Sequence, residues 1–224
     1  MFIASPAALL VGAYLIGSIP FSWLVVRLLK GADIRQHGSR NVGATNVART
    51  FGKLPGIIAL LLDIAKGYAA VALAQWLTSR SDWPRSASSF TGALHSTAFW
   101  VALSGLVAVL AHMFPVWLGF HGGKGVATAT GAFLALDPMV VAAGAIVFVI
   151  VLLATRFVSL ASMLSAASIP LFFRYLAHAS IWTVTMSALM ATAIVLKHHS
   201  NIARLAHGKE RRIGEGKGER KDEP

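Results

Sequence analysis

Residues 101–136 read VALSGLVAVLAHMFPVWLGFHGGKGVATATGAFLAL: an apolar run, a short loop with four glycines around Lys124, and a second apolar run. The composition extends this pattern, because 56% of the 224 residues are hydrophobic and only 13% are charged. A soluble domain carries about 25% charged residues, so this chain belongs in a bilayer. Glycines without side chains let backbone N–H groups converge on an anion, and a neighbouring lysine adds a point charge. The loop therefore reads as a phosphate site at a membrane surface. Asp33–Arg49, DIRQHGSRNVGATNVAR, makes the same offer by packing glycine, serine, asparagine, threonine and arginine into one polar stretch.

A nucleotide-binding P-loop requires Gly, four residues, then Gly-Lys-Ser/Thr. Here Leu118 stands five positions before Gly123, and Gly125 stands where the Mg²⁺-binding hydroxyl is needed, which argues against ATP hydrolysis. The chain has no cysteine, excluding disulfides and thiolate chemistry. Of nine acidic residues, five lie after Gly208, leaving Asp33, Asp63, Asp82 and Asp137 scattered over the rest. Paired-carboxylate and two-metal catalysis need clustered acids, and no zinc-protease spacing of histidines occurs, so no metal site is expected. Residues 1–207 carry fourteen Lys and Arg against those four acids, a surplus suited to anionic headgroups and substrates. Nucleic acid would fit the charge, but no nucleic-acid-binding motif accompanies it.

Apolar runs at about 6–29, 54–78, 94–113, 126–136, 139–155, 158–176 and 181–196 predict an all-α polytopic membrane protein with about seven transmembrane helices. The fourth run is too short to cross alone, and with the fifth it could form a shallow hairpin broken at Asp137-Pro138. The N-terminus lacks a basic n-region and reads as a retained first span. An outside N-terminus puts fifteen Lys and Arg inside against three outside, with both glycine-rich loops and the C-terminus on the cytoplasmic face. Residues 1–207 read as one membrane domain. The charged, glycine-rich segment 208–224 reads as a disordered tail, and 79–93 as an ordinary external loop.

Arg49 and Lys124 stand out as phosphate ligands, since snorkelling of helix-end bases leaves the surrounding Gly, Ser and Asn unexplained. Thr128 and Thr130 follow the lysine loop where a helix begins; they either face an anion at its N-terminus or pack between helices. Asp63 and Lys66 share a helical face within a span and read as a buried structural pair. His112 either orients the lysine loop or caps a helix end. His198 and Asn201 form H-x-x-N and share a face if the last helix continues.

Three stretches, GSRNVGATNVAR (38–49), HMFPVWLGFHGGKGVAT (112–128) and KHHSNIARL (197–205), together with Gly17-Ser18-Ile19-Pro20-Phe21, resemble the bacterial PlsY-type acyl-phosphate:glycerol-3-phosphate acyltransferase family. The resemblance runs to about Gly208. It implies a seven-helix fold in the bacterial inner membrane, with the active site facing the cytoplasm. The implied reaction transfers a fatty acyl group from acyl phosphate to glycerol 3-phosphate, giving lysophosphatidic acid and phosphate, with an acyl-phosphate-forming enzyme upstream and no cofactor, whether nucleotide, CoA or metal. It further implies catalytic roles for Ser39, His198 and Asn201, and substrate binding by Asn41, Asn46, Arg49, Gly122, Gly123, Lys124, Gly125 and Ser162. Two positions depart from the family pattern: His121 replaces a usual lysine and Arg40 a frequent glycine. The His-x-x-x-x-Asp pair of other glycerol-phosphate acyltransferases is missing from the sequence.

Acyl phosphate is a mixed anhydride with a good leaving group, so activating the alcohol is the harder task. His198 or the substrate's own phosphate, with a second pKa of about 6, are the available bases. Backbone N–H groups of the glycine loop are expected to stabilise oxyanion charge. The competing reading is a transporter of a phosphorylated metabolite, but its site would sit at midplane between repeated halves, and no repeat is visible.

Overall fold

The computed structural model describes residues 5–80, 83 and 96–214, and every regular element among them is a helix. The first apolar run is broken. Helix α1 (Pro6–Ser18) starts with Ser5 accepting the Ala8 N–H at 3.1 Å and ends at Ile19-Pro20, where a proline cannot continue the ladder. Helix α2 (Phe21–Lys30) resumes and stops at Gly31, whose φ of 64° suits a residue without Cβ. After a short turn come α3 (Ala44–Phe51) and the long α4 (Lys53–Ser79).

Helix α5 (Thr97–Met113) leads into the lysine loop, and α6 (Val126–Leu136) leaves it. With 11 residues rising 1.5 Å each, α6 covers about half of a 30 Å hydrocarbon core, as its length in the sequence requires. Asp137 then caps α7 (Pro138–Thr155) by accepting the Met139 N–H at 2.8 Å. Helices α8 (Val158–Tyr175), α9 (Ile181–Lys197) and α10 (His199–Ala206) follow, with a 56° bend between the last two.

Five stretches are long and apolar enough to span a membrane, and α9 with α10 makes a sixth. The expected seven runs thus all form helices, one at half length. The expected external loop at 79–93 lies largely outside the described residues.

Helix α4 is the hub, packing against α1, α2, α3, α5 and α6. Its contact with α6 depends on glycine: a Cβ on Gly67 would strike the Thr128 carbonyl, and one on Gly131 the Ile64 carbonyl. Without a hydrophobic drive between helices in lipid, such close backbone approach supplies the attraction. Gln75 donates to the Ala135 carbonyl at 3.0 Å, so α4 and α6 run side by side in the same direction. Edge-on aromatic contacts of Trp100 with Trp83 and Phe99, and of Phe99 with Trp182, gather at one end of the bundle. The polar loops gather at the other.

Candidate active site

The first polar loop is built around Asn46, on the first turn of α3 and 2% exposed. Its Oδ1 accepts from the Ser39 N–H at 3.0 Å and the Thr50 hydroxyl at 3.4 Å, while its Nδ2 donates to the His37 and Asn41 carbonyls at 3.1 Å each. Those bonds commit the side chain to shaping the loop. Ser39 is left exposed and Asn41 half-buried on its surface. Arg40 has φ of 60°, a left-handed conformation that costs a non-glycine residue about 1–2 kcal/mol.

The lysine loop folds back on α5. The Gly122 and Gly123 N–H groups donate to the Met113 and His112 carbonyls, each at 3.2 Å, satisfying the end of that helix. This corrects the expectation that glycine-loop amides face an anion, because those two are already paired. The open donors are the first amides of α6, which intrahelical bonding leaves without partners. Thr130 donates to the Val126 carbonyl within α6, and the Thr128 hydroxyl is fully buried with no hydrogen-bond partner among the described residues. His121 is exposed and contacts the Gly119 carbonyl.

The chain's last helices complete the site. The Lys124 ammonium donates to Asn201 Oδ1, and Asn201 Nδ2 donates to Glu210 Oε1 at 2.6 Å. The Glu210 carboxylate also accepts from the Ser159 hydroxyl and from Arg204 Nε, each at 2.7 Å. Burial alone would raise the Glu210 pKa, but hydrogen bonds from Ser159, Asn201 and Arg204 outweigh it and hold the carboxyl below its usual range. Arg49, exposed on α3, lies within electrostatic reach of the same cluster. Desolvation and the nearby Arg211 and Arg204 lower its pKa, with Glu210 opposing. Burial, then Arg204 and Arg49 against Glu210, lowers Lys124 to about 8.

His198 lies just beyond the end of α9, 3% exposed, with Nδ1 2.7 Å from the Ile194 carbonyl. A carbonyl can only accept, so Nδ1 carries the proton and Nε2 keeps its lone pair. The helix does not continue straight from His198 to Asn201, yet the bend still turns Asn201 onto Lys124. Ser162 sits nearby on α8 but returns its hydroxyl to the Val158 carbonyl at 2.8 Å; Ser159, one turn earlier, is the serine in the cluster.

Sequence reasoning missed Arg204, Ser159 and above all Glu210. Residues 208–224 read as a disordered tail, but the described part, 208–214, runs across the site. Ile213 pairs with Arg156 in both directions, N–H to carbonyl at 2.8 Å and guanidinium to carbonyl at 2.9 Å. The signal available was one acid within a basic segment two residues after a glycine stop.

Beneath the loops, Asp63 and Lys66 form the expected ion pair at 2.9 Å, both almost fully buried. Ser22 donates to Asp63 Oδ2 at 2.9 Å, His112 Nδ1 lies 3.5 Å from Oδ1, and Lys66 donates to the Ile19 carbonyl exposed by the α1–α2 break at 2.7 Å.

A family model described as glycerol-3-phosphate acyltransferase matches residues 7–208. A glycerol-3-phosphate acyltransferase of Thermosynechococcus vestitus is 42% identical over 207 residues, covering 92% of this chain and 94% of that one. One from Desulforamulus reducens is 43% identical over 211 residues, covering 93% and 96%. Among solved structures, the crystal structure of PlsY, an integral membrane glycerol 3-phosphate acyltransferase, superposes in its glycerol 3-phosphate form with a TM-score of 0.80 at 38% identity, over 93% of this chain and 96% of that one. Its lysophosphatidic acid form gives 0.78, again at 38% identity, over 93% and 95%. Similarity of this extent in sequence and in helix arrangement places the chain in the glycerol-3-phosphate acyltransferase family.

Proposed function

We propose that this protein acylates the primary hydroxyl of glycerol 3-phosphate with acyl phosphate as donor, releasing lysophosphatidic acid and inorganic phosphate. The observation that carries the reading is the convergence of Lys124, Asn201 and Glu210, from three separate segments, with Arg49 and Arg204 at one end of a membrane bundle. Solved relatives with glycerol 3-phosphate and with lysophosphatidic acid support the acceptor and product.

In the reaction the acceptor oxygen attacks the acyl carbonyl carbon, the bond from that carbon to the bridging phosphate oxygen breaks, and phosphate leaves with the electron pair. Arg49 and Lys124 bind the anionic groups, Arg204 adds to the field, and the open amides at the start of α6 face developing negative charge. Ser39 and Asn41, on the adjoining loop surface, are assigned to substrate contact, whereas Ser162 keeps its hydroxyl on the Val158 carbonyl and is left to pack α8 beside the site. Gly122, Gly123 and Gly125 shape the loop, and Asn46 holds the other one.

The hydroxyl proton goes to the substrate's own phosphate. A phosphate monoester of second pKa about 6 brings its own base to the hydroxyl, so the reaction does not require His198 to take the proton. The His198 Nε2 lone pair instead accepts from the hydroxyl and orients it, with Asn201 fixing Lys124 alongside.

The fifteen-to-three distribution of Lys and Arg supports a site on the cytoplasmic face of the bacterial inner membrane. There an acyl-phosphate-forming enzyme would supply the donor. The test is purified protein in liposomes with radiolabelled glycerol 3-phosphate. Labelled lysophosphatidic acid should form with acyl phosphate, in EDTA, and fail to form with acyl-CoA. Strict need for acyl-CoA, or label entering sealed vesicles without acylation, would overturn the reading.

A further inference from the structure

His112 touches the lysine loop twice. Its carbonyl accepts the Gly123 N–H at 3.2 Å, and its ring nitrogen Nε2 stands where a Cβ on Gly123 would fall, with the Val42 carbonyl crowding the same point. Gly123 is therefore pinched between α5 and the first polar loop, one residue before Lys124. The opposite edge of the imidazole, Nδ1, faces Asp63 Oδ1 at 3.5 Å. Asp63 in turn is fixed by Lys66 at 2.9 Å and Ser22 at 2.9 Å, and Lys66 by the Ile19 carbonyl. One buried imidazole thus joins a rigid cluster drawn from α2 and α4 to the backbone of the loop, and its two ring nitrogens face the two sides of that junction.

We propose that His112 is a positioning residue for the substrate-binding lysine loop, transmitting the hold of Asp63 to the backbone at Gly123 and so setting where Lys124 presents its charge. The inference rests on the proposed function, in which this loop holds a substrate phosphate. An ångström of displacement at a charged ligand is enough to cost about a hundredfold in a positioned reaction, so a residue remote from substrate can govern its binding. The role is distinct from stability alone. A brace that only held helices together would lower the fraction folded and leave the folded molecules unchanged.

The test uses the full-length protein in detergent, with Asp63→Asn, His112→Gln, His112→Ala and the Asp63→Asn/His112→Gln double variant, restricted to the monodisperse fraction on gel filtration. Binding of glycerol 3-phosphate without donor is measured alongside kcat and KM. We expect each single variant to weaken binding and raise KM about tenfold or more while kcat changes less. The double variant should be no worse than the poorer single one, because both act through the same junction. Unchanged affinity and KM in folded His112→Gln and His112→Ala, additive effects in the double variant, or failure of all four to fold would overturn the positioning role. Wild-type protein that does not bind glycerol 3-phosphate would overturn the proposed function itself, and this inference with it.

Discussion

Lys124 is the most revealing group to titrate, because burial and the neighbouring Arg204 and Arg49 hold its pKa at about 8 in the free protein. A lysine binds phosphate only when charged. A group of pKa about 8 is roughly nine-tenths charged at pH 7 and one-tenth at pH 9, so kcat/KM for glycerol 3-phosphate should fall about tenfold over that interval. The acceptor phosphate, with a second pKa of about 6, is dianionic throughout and contributes nothing to this limb. Once bound, its negative charge favours the ammonium and raises the pKa, so kcat should stay flat where kcat/KM already declines. The assay is initial rate against acceptor concentration from about pH 6.5 to about pH 9.5 at saturating acyl phosphate, corrected for spontaneous donor hydrolysis. Lys124→Arg supplies the control: arginine stays charged, so the limb should vanish even though changed geometry lowers the overall rate. A flat kcat/KM profile in the wild type, or a limb near pH 8 surviving in Lys124→Arg, would refute the reasoning.

Because the substrate phosphate takes the proton in the proposed reaction, the acidic limb of kcat/KM should follow that phosphate and persist in His198→Gln, which should keep much of the activity; loss of that limb, with a drop of about 10² or more, would make His198 the base after all. Glu210→Ala removes the acceptor shared by Ser159, Asn201 and Arg204, so both thermal stability and acylation should fall, whereas Glu210→Gln keeps acceptor capacity and should recover part of each. Cysteines at Ser39 and Ser200 should be shielded from an impermeant thiol reagent in intact cells while one at His178 reacts; the reverse pattern would invert the proposed orientation.

Much of the fold is legible in the sequence because lipid imposes a length rule on apolar runs, and proline breaks them where the ladder fails. The break at Asp137-Pro138 and the half-length α6 follow from that rule, whereas the run at 6–29 reads as one span and Ile19-Pro20 splits it into α1 and α2. The loops were legible as loops, but what their groups bind was not. Asn46 reads as a substrate residue, yet it is consumed inside its loop. Gly122 and Gly123 read as anion donors, yet they close the end of α5. Local composition reports which groups are available and cannot report which partner reaches them first. Glu210 was hidden for the same reason, since a charged glycine-rich segment carries no periodicity and its order here comes from tertiary bonds to Ser159, Asn201, Arg204 and Arg156.

Binding of glycerol 3-phosphate by wild type and Lys124→Ala, titrated calorimetrically without any acyl donor, tests most directly whether the converged lysine loop holds the acceptor phosphate. Loss of one charge-assisted hydrogen bond is worth about 1.5–3 kcal/mol, so the variant should bind roughly ten- to over a hundredfold more weakly. Equal affinity in the two proteins would contradict the account.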